Sequence, residues 1–198
     1  MPLKYQVPDD KKVRVIVDSD AACEADDPFA IAHALLCDKF IVKAIFAEHF
    51  NCEGSMKQSF EEIQRVVKAM KKEVPVLVGE IGKLSEKGTG EISEASSFLI
   101  REALREDDKP LYVLCIGAIT NIASAIQACP DIVPHMTVVW IGGQSHEHST
   151  GEVREFNAGN DIEAANLVLG SGVRFWQIPN DVYGSMRISL AEIQMRIA

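Results

Sequence analysis

The sequence has no stretch near the roughly 18 apolar residues that a membrane-spanning helix needs, and its start, MPLKYQVPDDKK, lacks the apolar core of a secretory leader. Both absences argue against a membrane partner and make a cytoplasmic location the expectation. Positive charge is scarce: 20 Lys and Arg against 29 Asp and Glu leave a formal net charge of -9. A surface of that sign repels phosphates, which argues against nucleic acid and anionic membranes as partners. No CxxC pair occurs, and the five cysteines, Cys23, Cys37, Cys52, Cys115 and Cys129, are an odd set. That pattern predicts reduced, buried thiols rather than a disulfide framework. Repeats, linkers and low-complexity tracts are missing too, so a single domain is expected over residues 1–198.

What is present is an alternation of short β-rich apolar runs with helical patterns, the signature of βαβ units in an α/β fold. VRVIVD reads as a strand buried on both faces. A helix follows through Leu36, with an Asp of Asp26-Asp27 at its cap and Pro28 at its first position. IVKAIFAE, VPVLVG, PLYVLCIG, MTVVWIGG and VRFWQIP supply five more strands. Helices are expected over Ser55 to Lys71, Ser93 to Glu106, Thr120 to Ala128, and from an Asp161 cap to Leu169. Ser189 caps a final amphipathic piece, LAEIQMRIA. The expectation is an open, mostly parallel, Rossmann-like sheet flanked by helices.

Ligands of such sheets bind outside the carboxyl ends of the strands. Asp18, Asp20, Asp26 and Asp27 lie at or just beyond the first of those ends. Crowded carboxylates raise one another's pKa unless a cation sits among them, and an all-oxygen set suits Ca²⁺ or Mg²⁺ rather than zinc. Solvated loop acids and a helix cap would explain the same four residues. Other polar groups tip the balance: Asn51, the Gly117 to Asn121 turn, and Glu155 to Asn157 follow other strands at the same edge.

DSD at Asp18 to Asp20, ADDPFAI at Ala25 to Ile31, Asn51, IGAITNIA at Ile116 to Ala123 and REFNAGNDIEAA at Arg154 to Ala165 occur in that order. Together they resemble the inosine-uridine preferring nucleoside hydrolase family, calcium enzymes that cleave the N-glycosidic bond of ribonucleosides. The resemblance implies Asp20, Asp27 and the Thr120 carbonyl as ligands of Ca²⁺, and Asp20 as general base for the attacking water. It implies Asp26, Asn51, Glu155 and Asn157 as holders of the ribose hydroxyls, with Asp18 bracing the site from behind. It also implies nucleoside salvage as the setting and a homo-oligomer, dimer or tetramer.

The sequence departs from the family pattern in three places. The loop between DSD and DD is AACEA instead of a short P-G-x, and its extra residues are expected to bulge outward. Ser149 stands where an Asn is often found, beside a His146-Glu147-His148 run that reads as surface. The chain stops inside an amphipathic pattern, before the family's later His-Asp motif, so an incomplete C-terminus with exposed apolar surface is expected. Asp181 belongs to a stretch resembling the family's D-V-T and does not replace that motif, while Phe50 and Trp140 are expected in or near the core.

Two rivals compete with this reading. A Mg²⁺-dependent phosphatase of the haloacid dehalogenase type also begins with a strand and DxD. Here Ala22 stands where Thr or Val is usual, and Asp107-Asp108 precedes a strand instead of following one. A non-catalytic nucleoside-binding member of the same fold is the second rival.

Overall fold

Six apolar segments pair into one parallel sheet: β1 (Val13–Ser19), β2 (Phe40–Ala47), β3 (Val76–Leu77), β4 (Leu111–Cys115), β5 (Met136–Ile141) and β6 (Arg174–Ile178). The computed structural model describes residues 6–86, 91–145 and 155–196. Ser149 and His146-Glu147-His148 lie outside the described residues. The strand order is β3-β2-β1-β4-β5-β6. From β1 the chain steps outward to β2 and β3, then crosses back to the other side of β1 to form β4. The crevice between the ends of β1 and β4 is therefore the switch point at which such sheets bind ligands.

Crossovers of this kind are right-handed, so opposite directions of travel place helices on opposite faces. Helices α1 (Asp26–Leu36) and α2 (Ser55–Ala69) cover β1 and β2 on one face, burying Ile31, Ala34, Ile63 and Val67 against Val15, Val17 and Ile45. On the other face lie α3 (Glu94–Ala103), α4 (Thr120–Ala128) and α6 (Ile162–Gly170), whose buried residues pack with Phe46, Val113, Val138 and Trp140. The first face stays thinly covered beyond β1. There Val15, Tyr112, Leu114, Val139 and Trp176 line an apolar depression of about 300 Å³, and Trp176 is 52% exposed.

Long amphipathic segments follow the sequence pattern, and departures arise where short-range bonding decides. α3 starts on Ser93, whose hydroxyl accepts the Ser96 N–H, and α6 on Asp161, which accepts the Ala164 N–H. The expected Asp cap of α1 is not made. Its N-cap is Ala25 without a side-chain bond, because Asp27 instead accepts the Ser19 hydroxyl at the end of β1 at 2.6 Å. β3 shrinks to two residues, and α3 ends at Ala103, short of Glu106.

Pattern reasoning missed five short elements among the described residues: 3-10 helices over Asp9–Lys11, Leu84–Glu86 and Pro130–His135, α5 (Phe156–Asn160) and α7 (Asn180–Tyr183). Each is too brief to show a helical period. The last element is α8 (Leu190–Arg196), whose residues are mostly exposed. The cysteines are free, as expected, but only Cys115 is buried and Cys52 is exposed. Cys23 and Cys52 lie in turns, outside the apolar runs that bury a thiol. Among the described residues no helix is long and apolar enough to cross a membrane.

Candidate active site at the sheet switch point

β1 carries its acidic end into a dry environment. Asp18 is fully buried and Asp20 is 2% exposed. Burial, then the nearby Asp27 charge, pushes the Asp20 carboxyl up to about 8. Asp27, on the first turn of α1, is pushed up to about 7 by burial, with the Ser19 hydrogen bond pulling the other way. Two such groups on one small cleft are electrostatically unsatisfied: each holds its charge poorly for want of nearby donors. Asp26, next to Asp27 in the same turn, is exposed.

The turn after β4 closes on Asp20 from the other side of the crevice. Gly117 lies so near that a side chain there would come 2.9 Å from the Asp20 Oδ1 oxygen. The Trp140 indole N–H pins this turn by donating to the Gly117 carbonyl at 2.9 Å. Ile119 completes it with a φ of 70°, a costly conformation for a β-branched residue. α4 then begins at Thr120. Strained backbone held by buried neighbours is a feature of built sites, and here it sets the position of the first carbonyl of α4.

Behind these groups runs a buried polar layer. The Asn121 amide donates to Asp18 Oδ1 at 2.8 Å and to the Ala47 carbonyl at 3.1 Å, and its oxygen accepts the Glu80 N–H at 2.7 Å. Glu48, fully buried at the end of β2, accepts the N–H groups of His49 (3.0 Å) and Asn121 (3.1 Å). Asp18 Oδ2 has no donor among the described residues. Burial raises Asp18 to about 7 and Glu48 well above its usual range. Desolvation, and for Glu48 the neighbouring Asp18 charge, thus favour the uncharged form of these carboxyls.

His49 extends the layer. Its Nδ1 accepts the Asn51 N–H at 3.2 Å, so Nε2 carries the proton and donates to Thr120 Oγ1 at 2.8 Å. Burial lowers the His49 pKa, which keeps the ring neutral. Thr120 Oγ1 donates onward to Asp161 Oδ2 at 2.8 Å, and that oxygen also accepts the Leu84 N–H at 2.7 Å. The loops after β2 and β4 and the start of α6 are thereby tied into one support.

The opposite wall comes from β5 and α5. Glu155 caps α5 by accepting the N–H groups of Asn157 (3.0 Å) and Ala158 (2.8 Å), and it also accepts the Gly143 N–H at 2.6 Å. The Tyr183 hydroxyl of α7 donates to Glu155 Oε1 at 2.7 Å. Asn157 donates to the carbonyls of Ile141 at 2.8 Å and Ile116 at 3.4 Å, joining the ends of β5 and β4. A cavity of about 50 Å³ lies between the walls, lined by Asp20, Asp26, Asp27, Glu155, Asn157 and Tyr183 among others.

The inosine-uridine preferring nucleoside hydrolase family model matches residues 15–197. This chain belongs to that family. A non-specific ribonucleoside hydrolase, RihC, of Escherichia fergusonii is 36% identical over 91 residues, 45% of this chain and 30% of the relative. The corresponding RihC of Shigella sonnei is 36% identical over 84 residues, 42% of this chain and 28% of the relative. The aligned part is thus less than a third of these curated relatives' length.

Solved structures share this fold. An inosine-guanosine nucleoside hydrolase superposes with a TM-score of 0.69 at 24% identity, covering 85% of this chain and 60% of that one. An inosine-uridine preferring enzyme from Bacillus anthracis gives 0.70 at 16% identity, covering 90% and 68%. The parallel sheet with flanking helices is the architecture those proteins have.

Of the site residues expected from the sequence, the cavity gathers Asp20, Asp26, Asp27, Glu155 and Asn157. Asn51 sits exposed at the start of the α2 loop with a φ of 58°, and Thr120 lies fully buried behind the lining. The AACEA loop does not simply bulge away. Its turn closes through the Cys23 N–H on the Asp20 carbonyl at 2.8 Å, and Cys23 and Glu24 reach the cavity rim. Burial, then the Asp20 charge, pushes the Cys23 thiol up to about 12.

Sequence reasoning overlooked Glu48, His49, Asp161 as a support of Thr120, and Tyr183. Glu48-His49 directly follows the second strand, a position that could have drawn notice. Tyr183 ends a four-residue helix with no pattern at all.

Proposed function

We propose that this nucleoside hydrolase family member hydrolyses the N-glycosidic bond of ribonucleosides to free base and ribose, with Asp20 as general base. The observation that carries this reading is the pair of buried, donor-poor carboxyls, Asp20 and Asp27, facing a wall of sugar-compatible polar groups across the switch-point cleft. A carboxylate held beside the attacking water can take its proton as the bond to ribose forms.

The donor set fits a hard divalent ion. It consists of oxygens, Asp20 and Asp27 repel one another without a counter-charge, and Gly117 leaves room for the backbone to approach them. Among the described residues no three His, Cys, Asp or Glu side chains come within ligating range, so a backbone carbonyl, that of Thr120, is the proposed third ligand. Calcium bound there would supply the positive charge that acidifies an attacking water.

The protein's own groups account for the remaining work. Asp20 takes the water proton. Asp26, Glu155 and Asn157 hold ribose hydroxyls and fix the sugar against the base-facing opening. The carboxylates of Asp26 and Glu155 favour the oxocarbenium character that develops on the ribose as the bond to the base breaks. Asn51, expected in the same role, lies outside the lining and would contribute least. Exposed Trp176, Met186, Leu190 and Met195 support the expectation of self-association, checked by light scattering. Five free thiols agree with a reducing cytoplasmic setting.

The deciding assay is release of base and ribose from purine and pyrimidine ribonucleosides, with calcium and with chelator, beside Asp20→Ala. Calcium-dependent turnover lost in the variant supports the proposal. Calcium binding without turnover points to a non-catalytic nucleoside-binding member, and phosphomonoester turnover to the phosphatase.

A further inference from the structure

Glu155 has no vacancy for a sugar. Its carboxylate accepts the N–H groups of Asn157 and Ala158 at 3.0 and 2.8 Å, the Gly143 N–H at 2.6 Å and the Tyr183 hydroxyl at 2.7 Å. A carboxylate offers about four acceptor positions, so all are taken. Three of the donors are backbone groups fixed by the turn after β5 and the first turn of α5. They cannot leave without dismantling the site.

The fourth donor is different. Tyr183 ends α7, a helix of four residues, and it is the one residue from Asn180 to Leu190 that is not exposed. It also lines the cavity of about 50 Å³, whereas small-molecule pockets begin near about 300 Å³. Departure of the phenol would free an acceptor on Glu155 and enlarge the cavity in one movement. Burial and then the Glu155 hydrogen bond raise the Tyr183 pKa, so the hydroxyl remains a donor.

We propose that Tyr183 is a positioning residue whose hydroxyl occupies, on Glu155, the acceptor position of a ribose hydroxyl and is displaced when the sugar binds. The proposal rests on the ribose reading given above. The exchange replaces one O–H donor by another, so Glu155 is never left with an open buried lone pair. In the absence of sugar the phenol holds the carboxylate in the geometry the sugar needs and keeps water out of the cleft. Its cost is competition: part of the sugar's binding energy goes into displacing it.

The test is calorimetric titration of the full chain with D-ribose in the presence of calcium, comparing wild type, Tyr183→Phe and Tyr183→Ala, with folding of each checked by circular dichroism. Tyr183→Phe keeps the ring and removes only the competing donor. It is expected to bind ribose about tenfold more tightly, the equivalent of one net hydrogen bond, with Tyr183→Ala at least as tight and calcium affinity unchanged. A purely structural role would leave ribose affinity unchanged or weaken it. If wild type binds ribose and Tyr183→Phe binds it equally or more weakly, the displacement proposal is wrong while the ribose reading stands. If none of the three proteins binds ribose, the ribose reading fails and this proposal with it.

Discussion

The two walls of the cleft hold their carboxylates in opposite ways. On the β1 and α1 side, Asp20 and Asp27 are buried with few donors, and their pKa values rise to about 8 and about 7. On the β5 and α5 side, Glu155 is also buried, yet it accepts four hydrogen bonds. Burial alone therefore does not distinguish them; the supply of donors does. A carboxylate starved of donors is held ready for a cation or a proton, and one supplied with donors is a fixed structural point. The first wall suits chemistry, and the second suits positioning.

The sharpest way to break this contrast is substitution on each wall with opposite expected outcomes. Asp20→Asn should cut ribonucleoside turnover by roughly 10²- to 10⁴-fold, the usual range for loss of a general base, measured by reducing-sugar release. In chelator at pH 8 the same variant should be more stable than wild type by urea denaturation, because it removes a buried charge with too few partners. Glu155→Ala should do the reverse to stability. It strands three backbone N–H groups and a helix cap, a loss of about 2–3 kcal/mol. Equal and like-signed effects of the two substitutions on metal-free stability would erase the distinction.

A pH series sharpens it further. The folded-state pKa values of Asp20 and Asp27 lie above the usual carboxylate value of 3.8, so the folded protein binds more protons than the unfolded chain between about pH 4 and pH 8. Stability of the metal-free protein should accordingly fall as pH rises through that window. Added calcium should restore the melting temperature, and more so at pH 8 than at pH 5, where protons already neutralise the pair. Scanning calorimetry with and without chelator gives both slopes, and parallel slopes would rule out a cation at this corner. The smallest effect is expected at Asn51, which is exposed outside the cavity lining: Asn51→Ala should change KM by no more than about threefold, under 1 kcal/mol.

Legibility in the sequence followed the length of the pattern. α2 and α6 were readable because period-3.6 burial repeats often enough to outvote local noise, and β1 because its apolar run is nearly unbroken, as in a strand buried on both faces. Asp18, Asp20, Asp26 and Asp27 were readable as neighbours at one sheet edge because the strand-to-helix junction in a parallel sheet lies at the ligand edge wherever the helices go. The cap of α1 was misjudged because Asp27 had two possible partners, its own helix and Ser19. Choosing between them requires knowing how near β1 lies. α5 and α7 were missed because a single turn of helix has no period, and with α7 went Tyr183.

The sequence by itself determined the α/β class, the family and the acidic edge, since these depend on residue order within contiguous segments. Tertiary structure alone decided which acids are starved of donors and which are supplied. It paired Asp18 with Glu48, tied Thr120 to His49 and Asp161, and filled the last acceptor position of Glu155 with Tyr183. Those relations join residues far apart in the chain, and hydrogen bonding and desolvation depend on distances of a few ångströms that only the closed sheet sets.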